Sequence, residues 1–302
     1  MFSGCNRLEG FMQNTTLVTI GLIASIAVCF GLPIVSFLIM QGKKLKIAPA
    51  FFTGVLAFTV SQVLIRMPLL SIFGQTPFMQ QLSQNIVLYG LFMGFTAGLF
   101  EEFARYLFCK LMLKKHRRYA DAIAFGFGHG GIEAILLAGV PLISSLILYF
   151  AMSNGTLVAM VGEDVAATVA GQLGALTPIL SVLGGAERIF AVMLHIGFSA
   201  MIFTGFVRNR PGKYLLLAIL AHTFVDAFAV IVPAYTHMGP LALEGVMLVF
   251  AVLCLFYALR AKKNFPVVEL PADAIGVIPA QEVPPEQPAN SSEEFVESPE
   301  GR

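Results

Sequence analysis

Charge is what this chain most lacks. Lys, Arg, Asp and Glu make up 12% of its 302 residues, against 57% hydrophobic residues, and a soluble domain carries about twice that charged share. So few charges cannot cover a water-facing surface, which excludes a soluble globular enzyme. The net charge of +1 offers no support for a nucleic-acid partner, and none is expected. Cysteine is sparse as well. Cys5, Cys29, Cys109 and Cys254 lie too far apart for a disulfide framework or a Cys-based metal site. No HExxH helix is present, which removes the usual zinc-protease signature, and no internal repeat points to an inverted-repeat transporter. The first apolar run, Thr16 to Met40, is too long for the core of a cleaved signal peptide and is expected to stay in the membrane.

What is present is a series of windows long enough to cross a bilayer, each about 20 apolar residues or more. They fall at roughly 16–40, 50–72, 86–113, 120–150, 187–207, 214–236 and 240–260, predicting an all-α, polytopic bundle of about seven transmembrane helices over residues 1–263. The fourth window is long enough to bend near Gly139 and Pro141 or to continue along the membrane interface. Basic residues mark alternate ends: Lys43, Lys44 and Lys46; Lys110, Lys114, Lys115, Arg117 and Arg118; Arg208, Arg210 and Lys213; Arg260, Lys262 and Lys263. The loops near 73–85, 151–186 and 237–239 contain no Lys or Arg. Positive loops stay cytoplasmic. The expected topology is an outside N-terminus and a cytoplasmic C-terminus, in a multi-pass protein of the cell membrane. Residues 264–302, acidic and rich in Pro, are expected to form a disordered cytoplasmic tail.

Ionisable side chains inside hydrocarbon cost several kcal/mol each unless they pair or line a wet cavity, yet this chain holds many. The third span carries Glu101, Glu102 and Arg105. The fourth carries His129 and Glu133, the fifth opens with Glu187 and Arg188 and carries His195 and Ser199, and the sixth carries His222 and Asp226. Glu101 with Arg105, His129 with Glu133, His195 with Ser199 and His222 with Asp226 are each one turn apart on one helix face. At 1.5 Å per residue, Glu101, His129, His195 and His222 all lie about 12–20 Å from the nearest basic loop, so four helices bring an acid or imidazole to one layer. Each residue also has a plainer reading. Glu102 with Arg105 can be a buried ion pair fixing register, His195 an interhelical hydrogen bond, Asp226 a carboxylate that only orients His222. Arg66 is expected to snorkel, Glu244 to be wet, and Gly126, Gly128, Gly130 and Gly131 to allow close packing or to leave room beside His129.

Amide hydrolysis needs an activated water, a donor for the developing oxyanion and a proton for the leaving nitrogen. A Glu in a water-poor site can act as general base, and imidazoles from neighbouring helices can position water, donate to the oxyanion or hold a metal. His129, His195 and His222 are the candidate ligands of a catalytic zinc; a metal-free glutamate mechanism competes with it. The leading expectation is an endopeptidase acting on a membrane-embedded or membrane-adjacent protein or peptide, with its site opening toward the half of the bilayer that holds the basic loops. A zinc-dependent lipid amidase using Ser199, a proton-coupled transporter and an assembly scaffold are the alternatives.

Glu101-Glu102 with Arg105, the Phe125-to-His129 spacing, and His222 with Asp226 resemble the three motifs of the CAAX-processing and bacteriocin-processing (CPBP) membrane proteases. With Glu187-Arg188 and His195 added, the pattern most resembles the YhfC family of intramembrane metalloproteases, relatives of the CPBP and PrsW proteases and of a γ-secretase subunit. The resemblance covers roughly residues 86–236. It implies that Glu101 activates water with Glu102 and Arg105 shaping its field, that His129 assists the water or the leaving group, and that His222 and Asp226 stabilise the oxyanion. Two departures stand out. Two residues rather than three separate the Glu pair from Arg105, and Asp226 stands where an Asn is frequent.

Overall fold

The computed structural model describes residues 2–43 and 45–266, those before Asn14 as backbone only. Among the described residues all regular structure is helical, and seven helices are long and apolar enough to cross a membrane: Asn14–Gly42, Ala48–Phe73, Ile86–Met112, Tyr119–Ser153, Pro178–Val207, Pro211–Thr236 and Pro240–Asn264. The chain is therefore a multi-pass α-helical membrane protein. The tail expected to be disordered lies, from 267 onward, outside the described residues.

The helix starts follow local chemistry. Asn85 accepts from the N–H groups of Val87 and Leu88 to begin the third span, as side-chain caps do for otherwise unpaired amides. Thr177 accepts from the Leu180 N–H, and Pro178 follows at the first helical position, where its missing N–H costs nothing. The fifth span thus starts at Pro178 rather than at 187, and Glu187 and Arg188 lie well inside it. The two charges interrupt the apolar window without interrupting the helix.

Two spans contain a π-helical stretch, Thr59–Arg66 in the second and Ala134–Gly139 in the fourth. The latter lies where a bend was expected, just ahead of Pro141. The helix then runs on to Ser153, and the connection to the fifth span holds two short helices, Leu157–Val161 and Glu163–Gly174.

The fifth span is the central helix. Its most apolar window is 67% buried, while no other span exceeds 33%; it packs against the first, fourth, sixth and seventh spans. The third span pairs with the sixth and the second with the fourth. The glycines before and after His129 serve these contacts. A Cβ on Gly126 would lie 2.6 Å from the Ile196 Cα, and one on Gly128 2.0 Å from the Phe51 carbonyl oxygen. The space beside them is occupied by neighbouring backbone, which favours the packing reading over room for substrate. Gly128→Ala is expected to force the second and fourth spans apart and to destabilise the chain by about 1–3 kcal/mol. Gly184→Ala, whose Cβ meets nothing nearer than 3.7 Å, is expected to leave the midpoint of thermal unfolding in detergent unchanged.

Candidate active site

A single guanidinium organises the polar layer. Arg105 is 1% exposed, and its Nη1 donates to the His195 carbonyl and to Ser199 Oγ, both at 3.0 Å. Nη2 lies 2.6 Å from His195 Nδ1 and donates to Glu101 Oε2 at 3.3 Å. Nε lies 3.2 Å from Glu102 Oε1, close enough for an ion pair, although the angle is too poor for a hydrogen bond. One side chain of the third span thus joins two carboxylates of its own helix to the central fifth helix. Such pairing is what makes charges tolerable in a low-dielectric interior.

The tautomers follow from Arg105, which can only donate. His195 Nδ1 must accept from it, which leaves the proton on Nε2, and that nitrogen makes an ion-pair contact with Glu133 Oε2 that joins the fifth and fourth spans. Glu133 is held in turn by Arg188 at 3.2 Å, and Arg188 also pairs with Glu187. His129 Nε2 donates to Glu101 Oε2 at 3.0 Å. Its ring is stacked near Phe125 and meets Phe58 edge-on, while its Nδ1 is buried without a partner. His222 Nδ1 donates to Glu102 Oε1 at 2.8 Å, and its Nε2 faces Asp226 at 3.6 Å, an ion-pair separation beyond hydrogen-bond reach. Phe198 stacks on the His222 ring. All eleven residues singled out from the sequence therefore belong to one network.

The network opens on a cavity of about 210 Å³. Glu101, Glu133, Glu187, Arg188, His195, His222 and Asp226 line it, together with Glu244 of the seventh span and apolar side chains including Phe198 and Met247. Glu102, Arg105, His129 and Ser199 do not. Glu102 and His129 are both 0% exposed, so of two adjacent carboxylates only Glu101 faces the space where a substrate could sit.

The direction of the cavity corrects an expectation. Glu133, Glu187, Asp226 and Glu244 all lie farther along their helices from the basic loops than Glu101 does, about 20–30 Å against 13 Å at helical rise. The cavity therefore extends toward the end of the bundle whose loops have no Lys or Arg, not toward the basic end.

Two further side chains differ from their sequence reading. Glu244 turns into the cavity, and one of its carboxylate oxygens is buried without a partner. Arg66 does not snorkel. It reaches across to the third span, donating to the Met93 carbonyl and to Thr96 at 2.9 and 3.2 Å, with Gln62 of its own helix at 3.1 Å.

The three residues whose ligand atoms converge are Glu101, His129 and His195, all within 4.8 Å of one another. His222 lies outside this group, held between Glu102 and Asp226. Two imidazoles and a carboxylate are an accepted catalytic zinc set, and bonds of about 2.0 Å in a tetrahedron place donor atoms about 3.3 Å apart. The Glu101–His129 contact of 3.0 Å and the Glu101–His195 Nδ1 separation of 3.9 Å bracket that value. Glu133 behind His195 supplies the outer carboxylate that a metal-bound histidine usually has. The residues fit a divalent ion in donor type and spacing. As described, protons bridge the same donors: the His129 Nε2–H and the Arg105 Nη2–H both point at Glu101, so an ion would take their place.

Fold and site together define a polytopic membrane protein with a buried Glu/His/His cluster beside a polar cavity. A family model described as YhfC intramembrane metalloprotease matches residues 28–263, and the chain belongs to that family. It is 34% identical over 250 residues to the uncharacterized membrane protein YhfC of Bacillus subtilis (strain 168), covering 79% of this chain and 94% of that protein. No solved structure matches.

Proposed function

We propose that the chain is an intramembrane endopeptidase that hydrolyses a peptide bond of a membrane-embedded or membrane-adjacent protein at Glu101. The observation that carries this reading is that Glu101, the carboxylate of the converging Glu101, His129 and His195 group, meets both requirements of a base. It faces the cavity, and it is held by two fixed donors, His129 Nε2 and Arg105 Nη2.

Glu101 takes a proton from water as the water oxygen attacks the carbonyl carbon, and passes it to the leaving nitrogen. His129 has no surface on the cavity and acts by orienting Glu101. His222, anchored through Nδ1 on Glu102, presents its ring edge to the cavity and as an imidazolium can donate from Nε2 to the carbonyl oxygen as it gains charge. His195, whose two ring nitrogens are spent on Arg105 and Glu133, holds Arg105 in place behind Glu101. Asp226, 39% exposed in its side chain, faces His222 Nε2 at 3.6 Å and sets a negative charge beside that ring. The family's name implies a metal; Glu101, His129 and His195 would hold it, and a bound divalent ion would polarise water and the scissile carbonyl. The lipid-amidase alternative depends on Ser199, which is 0% exposed, accepts from Arg105 and has no access to the cavity. Ser199 is thus out of reach of a lipid amide in the cavity, and that alternative loses the serine it called on.

The test is metal analysis of the purified chain and of His129→Ala, alongside cleavage of a membrane-embedded peptide. About one zinc per chain in the wild type, lost together with cleavage in His129→Ala, is the expected result. Undiminished cleavage by His129→Ala overturns the assignment of the site.

A further inference from the structure

The turn between the fifth and sixth spans forms a second polar concavity, which shares no lining residue with the cavity at Glu101. It encloses about 350 Å³ and is lined by Arg208, Arg210, Lys213 and Tyr214. Among the described residues none of these three cations has a carboxylate partner, and neither do Arg260, Lys262 and Lys263 at the adjoining end of the seventh span. The buried or part-buried arginines of the bundle behave differently: Arg105 and Arg188 pair with carboxylates, and Arg66 spends its donors on carbonyl and hydroxyl oxygens.

Unpaired cations are ordinary at the positive end of a membrane protein. What is not ordinary is that three of them line one hollow and that one, Arg208, is held in place beside it. The Arg210 N–H bonds the Gly205 carbonyl at 2.8 Å and the Asn209 N–H bonds Phe206 at 3.2 Å, with Asn209 in the left-handed region at φ 54°. The turn is therefore tight and internally bonded. Tyr214 packs directly on Gly205, where an added Cβ would come within 2.8 Å of it. The phenol oxygen accepts from Arg208 Nη1 at 3.2 Å, and Asn264 at the end of the seventh span accepts from Nη2 at 2.6 Å. The Arg208 guanidinium is thus fixed by neutral acceptors that orient it and leave its charge uncompensated. The site also sits at the amino end of the sixth span, which has no side-chain cap.

A planar fork held between neutral acceptors, with two more cations lining the same hollow at the basic end of the bundle, matches the chemistry of a phosphate group. We propose that the Arg208–Arg210–Lys213–Tyr214 cavity binds phosphate, carried by an anionic phospholipid headgroup or free in solution.

The full chain in a neutral detergent is titrated with short-chain phosphatidic acid, phosphatidylglycerol, phosphatidylcholine, oleate and inorganic phosphate, reading the midpoint of thermal unfolding. Phosphatidic acid and phosphatidylglycerol are expected to raise it saturably, with half-saturation at least fivefold weaker in Arg208→Lys and in Arg210→Gln. Arg208→Lys preserves net charge and loop topology, so a loss there reports the fork and not misinsertion. A matching shift with inorganic phosphate assigns the ligand as free phosphate, whereas a shift with the lipids alone assigns the headgroup. Equal half-saturation in wild type and both variants, or an equal effect of oleate, which carries charge without phosphate, overturns the proposal.

Discussion

Replacing Glu101 by glutamine is expected to lower peptide cleavage by about 10²–10⁴-fold while leaving the helical fold intact. The amide keeps the shape of the carboxylate, and its oxygen can still accept from Arg105 Nη2 and His129 Nε2, which lie 3.3 and 3.0 Å from Oε2. What it loses is the capacity to take a proton from water. The companion variant Glu102→Gln separates chemistry from scaffolding. Glu102 is 0% exposed and touches only Arg105 and His222, so its amide should weaken the alignment of His222 and cost far less cleavage. Single-turnover rates on a membrane-embedded peptide, with circular dichroism to confirm the fold, decide the matter. Equal losses in the two variants would mean that Glu101 is a structural ion-pair member like its neighbour.

Arg105→Met is expected to have the largest effect on stability, a loss of about 3–5 kcal/mol. Removing one partner of a buried ion pair strands the other charge in a low-dielectric interior, and here Arg105 serves two carboxylates at once. Its removal also frees the His195 carbonyl and Ser199 Oγ of the central helix. Adding Glu102→Gln to Arg105→Met removes one of the stranded charges, so the double variant should recover part of the loss. Thermal unfolding of the four proteins of this cycle in one detergent measures the coupling directly. Strictly additive effects would show that Arg105 and Glu102 do not interact in the folded state.

Much of this arrangement was legible before any coordinates. Low charge and repeated apolar windows are direct consequences of lipid as solvent, so the seven spans followed from composition and length. The layer of acids and imidazoles was legible because helical rise converts sequence distance from a basic loop into depth. Facing and pairing were less accessible. Depth groups Glu101, His129, His195 and His222 alike, but only packing decides that Glu101 meets His129 and His195 while His222 turns to Glu102. The misreading of Arg66 has a specific cause. A place near the end of a span suggests a side chain reaching for the interface, but the Met93 carbonyl, Thr96 and Gln62 offer acceptors within the bundle that only packing reveals. The late start given to the fifth span came from treating Glu187-Arg188 as an edge, when Thr177-Pro178 already carried a helix-start signal. Glu244 left no signal at all: one carboxylate near a span end reads as wet whether it faces water or a cavity.

The polar wall of the cavity bears on what shape a substrate must take. A peptide bond inside a transmembrane helix has its carbonyl engaged by the amide four residues on, which shields it from a nucleophile. Unwinding in lipid exposes N–H and C=O groups at several kcal/mol each. Glu133, Glu187, Arg188, Asp226 and Glu244 surround the approach to Glu101 with donors and acceptors on otherwise apolar helices. A strand drawn into that space could exchange its own helical bonds for bonds to the wall. The same side chains that admit water would then act as a local substitute for it, so a segment already weakened by Gly or Pro should be cut in preference to a regular helix.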